Sequence, residues 1–216
     1  MSGFLIGDFI LLSLGSSRVL DVRKCRTVDG ADLILYPCKE RSLDEGNRDG
    51  WNDNQVFFID EQGSLIGKQS KSAVDIQDGQ LVLDSLKPGK IYPKFSYVAD
   101  TRHITVQLPA SSASREGGQL YDSKIYVLTY YPKPNPRVAF ADGSSLATAL
   151  LPPYGSFVDH AAEETIEQQT PQDGEAEDDS LDWIRILKIS GIESEDTVAD
   201  AERLRRSWEV IPLRSA

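Results

Sequence analysis

Asp21, Tyr36 and Asn54 are the residues whose types could do chemistry together. An ionised carboxylate accepts hydrogen bonds from two hydroxyls, an aromatic ring stacks on an apolar C–H face, and a primary amide both donates and accepts. A neutral sugar presents those features, so the set points to carbohydrate recognition. Each residue also has a structural reading: Asp21 bonding turn amides, Tyr36 as a half-buried strand aromatic, Asn54 and Gln55 stapling a hairpin. Catalysis finds little support in the rest of the chain. His103 and His160 lie at a predicted strand start and in an acidic stretch, and neither has a nucleophile in a motif such as Gly-x-Ser-x-Gly nearby. A Cys25–His103 dyad has no spacing to recommend it, and Gly117-Gly118 precedes a strand rather than a helix that could cradle phosphate. The expectation is a binding protein, not an enzyme, with no cofactor and no metal.

The elements that must hold these residues are strands. Short apolar runs of period two recur from residue 9 to about 150, separated by Gly, Pro, Asp and Ser clusters. They fall into three units: runs starting at Phe9, Arg18, Ala31 and Gln55, then at Ser64, Ala73, Gln80 and Lys94, then at Ile104, Gln119, Ile125 and Arg137. Three units of four strands predict an all-β chain folded as a β-trefoil. A repeat of this length also fits a propeller blade, but a propeller needs at least four.

The spacing of Arg18-Val-Leu-Asp-Val22, Asp29-Gly-Ala-Asp-Leu-Ile-Leu-Tyr-Pro-Cys-Lys39 and Asn54-Gln-Val-Phe57 resembles one repeat of the ricin B-type (QxW) β-trefoil lectins, as a fungal-like member. The resemblance implies that Asp21, Tyr36 and Asn54 take up a galactose- or N-acetylgalactosamine-like residue, with Gln55 holding the aspartate and Lys39 beside the ring. Ile34 replaces a polar residue often found two places before the aromatic, Phe57 replaces the last Trp, and an extra loop from Arg41 to Asp53 carries Trp51, which could stack on a sugar or cover the site. Unit two keeps Asp75 but its strand ends without an aromatic, which predicts a silent site. Unit three offers Asp122, Tyr131 and Asn135 in the same order at compressed spacing. The family often pairs a Cys before Asp-Val with the Cys after aromatic-Pro; Leu20 stands at the first place, so Cys25 and Cys38 are expected as free thiols.

Composition bounds the rest. Residues 159–182 hold ten acidic side chains and no Lys or Arg, which accounts for all but one unit of the net charge of −11. The near-neutral remainder argues against nucleic acid and against membrane insertion. Domains are expected at 1–152 (trefoil), 153–182 (acidic, mobile segment or insertion) and 183–216, where a strand, a helix from Ser194 to Ser207 and a strand from Trp208 pack on or close the trefoil. An alternative register puts the closing strand at Trp208 and makes the acidic stretch a long insertion. Without an early basic, apolar signal the location expected is cytoplasmic. Glycans are the expected partners, a homodimer and a basic partner for the acidic segment are candidates, and the rival reading is a trefoil protease inhibitor or scaffold presenting its loops to a protein.

Overall fold

The computed structural model describes residues 2–40, 42–110, 121–134, 183–192 and 200–214. Alternating apolar residues make twelve strands: β1 Phe9–Ser13, β2 Arg18–Val22, β3 Leu33–Tyr36, β4 Phe57–Ile59, β5 Leu65–Gly67, β6 Ala73–Gln77, β7 Gln80–Asp84, β8 Lys94–Val98, β9 His103–Pro109, β10 Tyr121–Pro134, β11 Trp183–Gly191 and β12 Trp208–Pro212. Residues 1–132 with 185–216 form one compact unit and 133–184 another. Of the second, only the end of β10 and the start of β11 are described.

Antiparallel pairing closes a ring. β1 pairs β4, β4 pairs β5, β8 pairs β9 and β12 pairs β1. The Phe95 amide donates to the Gly63 carbonyl just before β5, and the Trp208 amide to the Arg102 carbonyl just before β9. The hairpins β2–β3, β6–β7 and β10–β11 form a cap in which each touches the next. Leu35 pairs Arg185, Gln80 pairs Lys188, and Asp32 bridges Val82. A six-stranded barrel capped by three hairpins is a β-trefoil.

The three-fold repetition is visible in the register. Leu12–Val19, Ile66–Ala73 and Thr105–Val127 are equivalent pairs, and Leu20, Val74 and Leu128, each next in chain, are buried in the shared core. Phe57, Phe95 and Trp208, at or near the start of the last strand of each repeat, are all fully buried there. The Trp208 indole also donates to the Leu128 carbonyl at 3.1 Å.

The third repeat departs from the expected segmentation. Strands expected at 119–122 and 125–130 are one element, β10, because a shift of register between Tyr121 and Ile125 absorbs the polar Asp122-Ser123-Lys124 as a bulge. A strand at Arg137 lies outside the described residues. The repeat's other two strands, β11 and β12, follow the segment 135–182, and β12 supplies the barrel strand beside β1. The helix is described over Asp200–Arg205, α1, with the expected Ser194 cap outside the described residues.

Candidate functional site

The hairpin β2–β3 divides its side chains by parity. Leu20, Val22, Leu33 and Leu35 enter the main core, so Val19, Asp21, Ile34 and Tyr36 share the opposite face. Asp21 pairs Ile34, which makes Tyr36 its diagonal neighbour, a relation that lets long or aromatic side chains meet. Gly30, at φ +76°, makes the turn that leads into β3. The opposing wall is a six-residue 3-10 helix, Gly50–Gln55, whose first turn is capped by the Asp49 carboxylate accepting from the Trp51 amide at 3.0 Å.

Gln55 is the staple. Its Nε2 donates to Asp21 Oδ2 at 2.8 Å and to the Pro37 carbonyl at 2.9 Å, and its Oε1 accepts from the Lys39 amide at 2.9 Å. Asn54 Nδ2 donates to the Val22 carbonyl at 3.2 Å, which turns the amide oxygen toward Lys39, 3.4 Å from Nζ. The same ammonium lies 2.9 Å from Asp21 Oδ2 and 5.0 Å from the centre of the Tyr36 ring. One cation therefore touches the carboxylate, the amide and the aromatic face. Asp21 is 2% exposed whereas Tyr36 is 44% exposed, so the ring faces solvent and the acid lies beneath Lys39. Burial pushes the Asp21 carboxyl above its ordinary 3.8, outweighing the charge and bond of Lys39 and the bonds from Gln55 and Asn54 that pull it down.

The register locates the equivalent positions in the other repeats. In the second, Asp75 matches Asp21, but Asp84 stands at the place of Tyr36, Lys87 at that of Lys39, and Tyr92-Pro93 at that of Asn54-Gln55. Asp84 Oδ1 accepts from Lys87 at 2.7 Å, and its Oδ2 from Lys90 at 2.9 Å and the Tyr92 hydroxyl at 3.0 Å, while Lys90 also reaches Asp75 at 2.7 Å. Burial pushes the Asp84 carboxyl up, but the two lysines and the phenol together hold it below the usual range. Lys90 lies over Tyr92, yet that ring is buried, so this repeat lacks an open stacking face.

In the third repeat Thr129, not Asp122, falls at the place of Asp21, and Arg205-Arg206 at that of Asn54-Gln55. The barrel pairing beside Val127 dictates this, and Asp122 is seven residues earlier on the far side of the bulge. Tyr131 is half-buried: its hydroxyl accepts from Gln80 Nε2 at 3.0 Å and its ring carries Lys188 Nζ at 5.1 Å. Asn135 lies outside the described residues. Cys25 and Cys38 are both free and exposed.

Sequence reasoning missed Lys39 as the bridge between Asp21 and Asn54, and Glu40 as the organiser of the extra loop. The Glu40 carboxylate accepts from the Ser42 and Asp49 amides at 3.3 and 2.9 Å and from Asn52 Nδ2 at 3.3 Å. An acid opening a segment rich in Asn, Asp and Gly was the available signal. Among the described residues no cluster of three or more His, Cys, Asp or Glu could hold a metal ion.

No protein-family model matches the chain, and no curated protein does. Solved structures do. The solution structure of the mdaA-1 domain superposes with a TM-score of 0.52 at 13% identity, covering 97% of this chain and 91% of that one. The earthworm R-type lectin C-half in complex with GalNAc gives 0.48 at 12% identity, and the earthworm lectin C-terminal domain mutant in complex with 6'-sialyllactose 0.49 at 12%. Each of these two covers 94% of this chain and 97% of its own. At such identities the likeness concerns the fold, which the strand pairing establishes independently: the chain is a β-trefoil, and its first repeat brings together a carboxylate, two amides, a lysine and an open phenol.

Proposed function

We propose that the protein binds carbohydrate, taking a terminal galactose-like or N-acetylgalactosamine-like residue at Asp21, Tyr36, Lys39, Asn54 and Gln55. The observation that carries this reading is the convergence of Asp21, Asn54 and Tyr36 on the one ammonium of Lys39. The ammonium fills the volume where hydroxyls and a C–H face would meet the same three groups. Lys39 is a long, partly exposed side chain, so its ammonium can swing aside while a sugar lies on the phenol, and hydroxyls donating to the buried Asp21 would replace the bond it gives up. Two hydroxyls then donate to Asp21, Asn54 Oδ1 accepts another, and the displaced ammonium can donate to a ring substituent. Gln55, with both its amide ends engaged, is a positioning residue. The choice of galactose over other hexoses comes from the sequence resemblance. One open site of this size implies weak binding, and useful avidity requires several copies on a glycan-rich surface.

A glycan array with wild type, Asp21→Ala and Tyr36→Ala tests the reading. Tyr36 is exposed, so its removal should leave the fold intact. Binding of galactose-terminated glycans by wild type and its loss in both variants is the expected result. A blank array from folded wild-type protein would overturn it, and protease inhibition by that sample would favour a trefoil that presents loops to a protein.

A further inference from the structure

The extra loop after β3 is a built structure, and it ends in a ring that touches solvent. Trp51 is 80% exposed. Leaving an indole in water forgoes a large apolar burial, and holding it still adds an ordering cost. The loop is nonetheless held at both flanks. Glu40 gathers Ser42, Asp49 and Asn52, Arg48 Nη1 pairs Asp53 at 3.0 Å, and Lys68 joins Glu45 at 2.8 Å and Asp8 at 2.7 Å. The Arg214 amide donates to the Leu43 carbonyl, and the Glu45 amide to the Arg214 carbonyl.

The helix geometry says where Trp51 is rooted. Trp51 and Asn54 are both in the 3-10 helix Gly50–Gln55. Residues i and i+3 eclipse in a 3-10 helix and are one turn apart, ~6 Å along the axis. Trp51 therefore shares the helix face of Asn54, whose side chain reaches Lys39 and Val22. Its backbone lies one turn before that of Asn54, and its ring is exposed where the amide is buried.

We infer that Trp51 is a second stacking platform, which takes the next residue of an oligosaccharide whose terminal sugar occupies the Asp21 site. The inference rests on the carbohydrate reading of that site and adds to it the size of the ligand: a di- or trisaccharide, not a lone monosaccharide. An indole offers a wide apolar face on which the C–H face of a sugar can stack. The tyrosine and the tryptophan would thus read two successive rings, with Asn54 between them.

The test titrates wild type, Trp51→Ala and Trp51→Phe with free galactose, free N-acetylgalactosamine and a panel of di- and trisaccharides ending in either sugar through different linkages. Calorimetry gives affinity and tryptophan emission reports the indole. In wild type at least one oligosaccharide should bind about tenfold more tightly than its terminal monosaccharide and shift the emission. Trp51→Ala should remove that gain while leaving monosaccharide affinity unchanged, and Trp51→Phe should keep part of it. If no oligosaccharide exceeds the monosaccharide, or Trp51→Ala binds the panel as wild type does, the platform is refuted while the Asp21 site stands; the indole would then face a protein. If folded wild type binds neither monosaccharide nor oligosaccharide, both readings fail together.

Discussion

Removing Gln55 tests the link between the fold and the site most sharply. Gln55→Ala deletes a hydrogen bond to an ionised carboxylate at 2.8 Å and two bonds to backbone, at 2.9 Å each, in a residue 1% exposed. A bond to a charged group contributes about 1.5–3 kcal/mol net and a neutral one about 1 kcal/mol. Leaving the Pro37 carbonyl and the Lys39 amide without that partner keeps the loss near the upper end, so the expected destabilisation is about 3–5 kcal/mol. With a urea m-value of ~2 kcal/mol/M the midpoint should fall by ~2 M, and thermal melting by roughly 10 °C. Gln62→Ala, at an exposed glutamine, serves as the control and should shift stability by no more than about 0.5 kcal/mol. Sugar affinity should drop as well, since Asp21 loses the group that orients it. A Gln55→Ala protein within about 1 kcal/mol of wild type would refute the view that this amide organises the repeat.

Three other outcomes follow from the geometry. The Asp21 carboxyl should titrate above its ordinary 3.8 by carbon-detected NMR. Because the folded value is raised, its contribution to stability falls as pH climbs from 3.8 through the folded value, while sugar binding should fail as pH drops through that same raised value; titration below 3.8 would contradict this. Asp29 is held at about 2 by the Ser85 hydroxyl and amide and then by Lys87, so it adds stability above its unfolded value that is lost as pH falls toward 2. Ser85→Ala removes the hydroxyl and keeps the amide, so it should bring the Asp29 value part of the way back toward the ordinary range, and an unchanged titration would show that the Ser85 amide and Lys87 suffice without the hydroxyl. In the core, Trp208→Phe should cost about 1–2 kcal/mol, since phenylalanine fills the equivalent places in the other two repeats, whereas Trp208→Ala should cost about 3–5 kcal/mol by urea unfolding. Equal losses would mean that the indole bond to Leu128, not ring volume, dominates.

The amino-acid sequence by itself determined the fold class and marked the residues of the first repeat that the structure gathers around Lys39. Period-two alternation is a local property, so strands such as Arg18–Val22 and Lys94–Val98 were legible residue for residue. The first repeat carries its motif residues Asp21, Tyr36 and Asn54 at or beside strand ends on either side of the extra loop, which let them be recognised by the motifs around them. Only the tertiary structure decided the third repeat, because the partner of β10 follows a segment of 48 residues, 135–182, and the bulge before Ile125 shifts every later side chain relative to Asp122. A shift of register moves a residue to another face, and no local pattern records it. The same holds for Lys39, whose position three places after Tyr36 says nothing of where its flexible stem ends. It holds too for the raised Asp21 carboxyl, since burial is a property of what packs above a residue: here a 3-10 helix from a turn-rich loop that carries no periodic signal of its own.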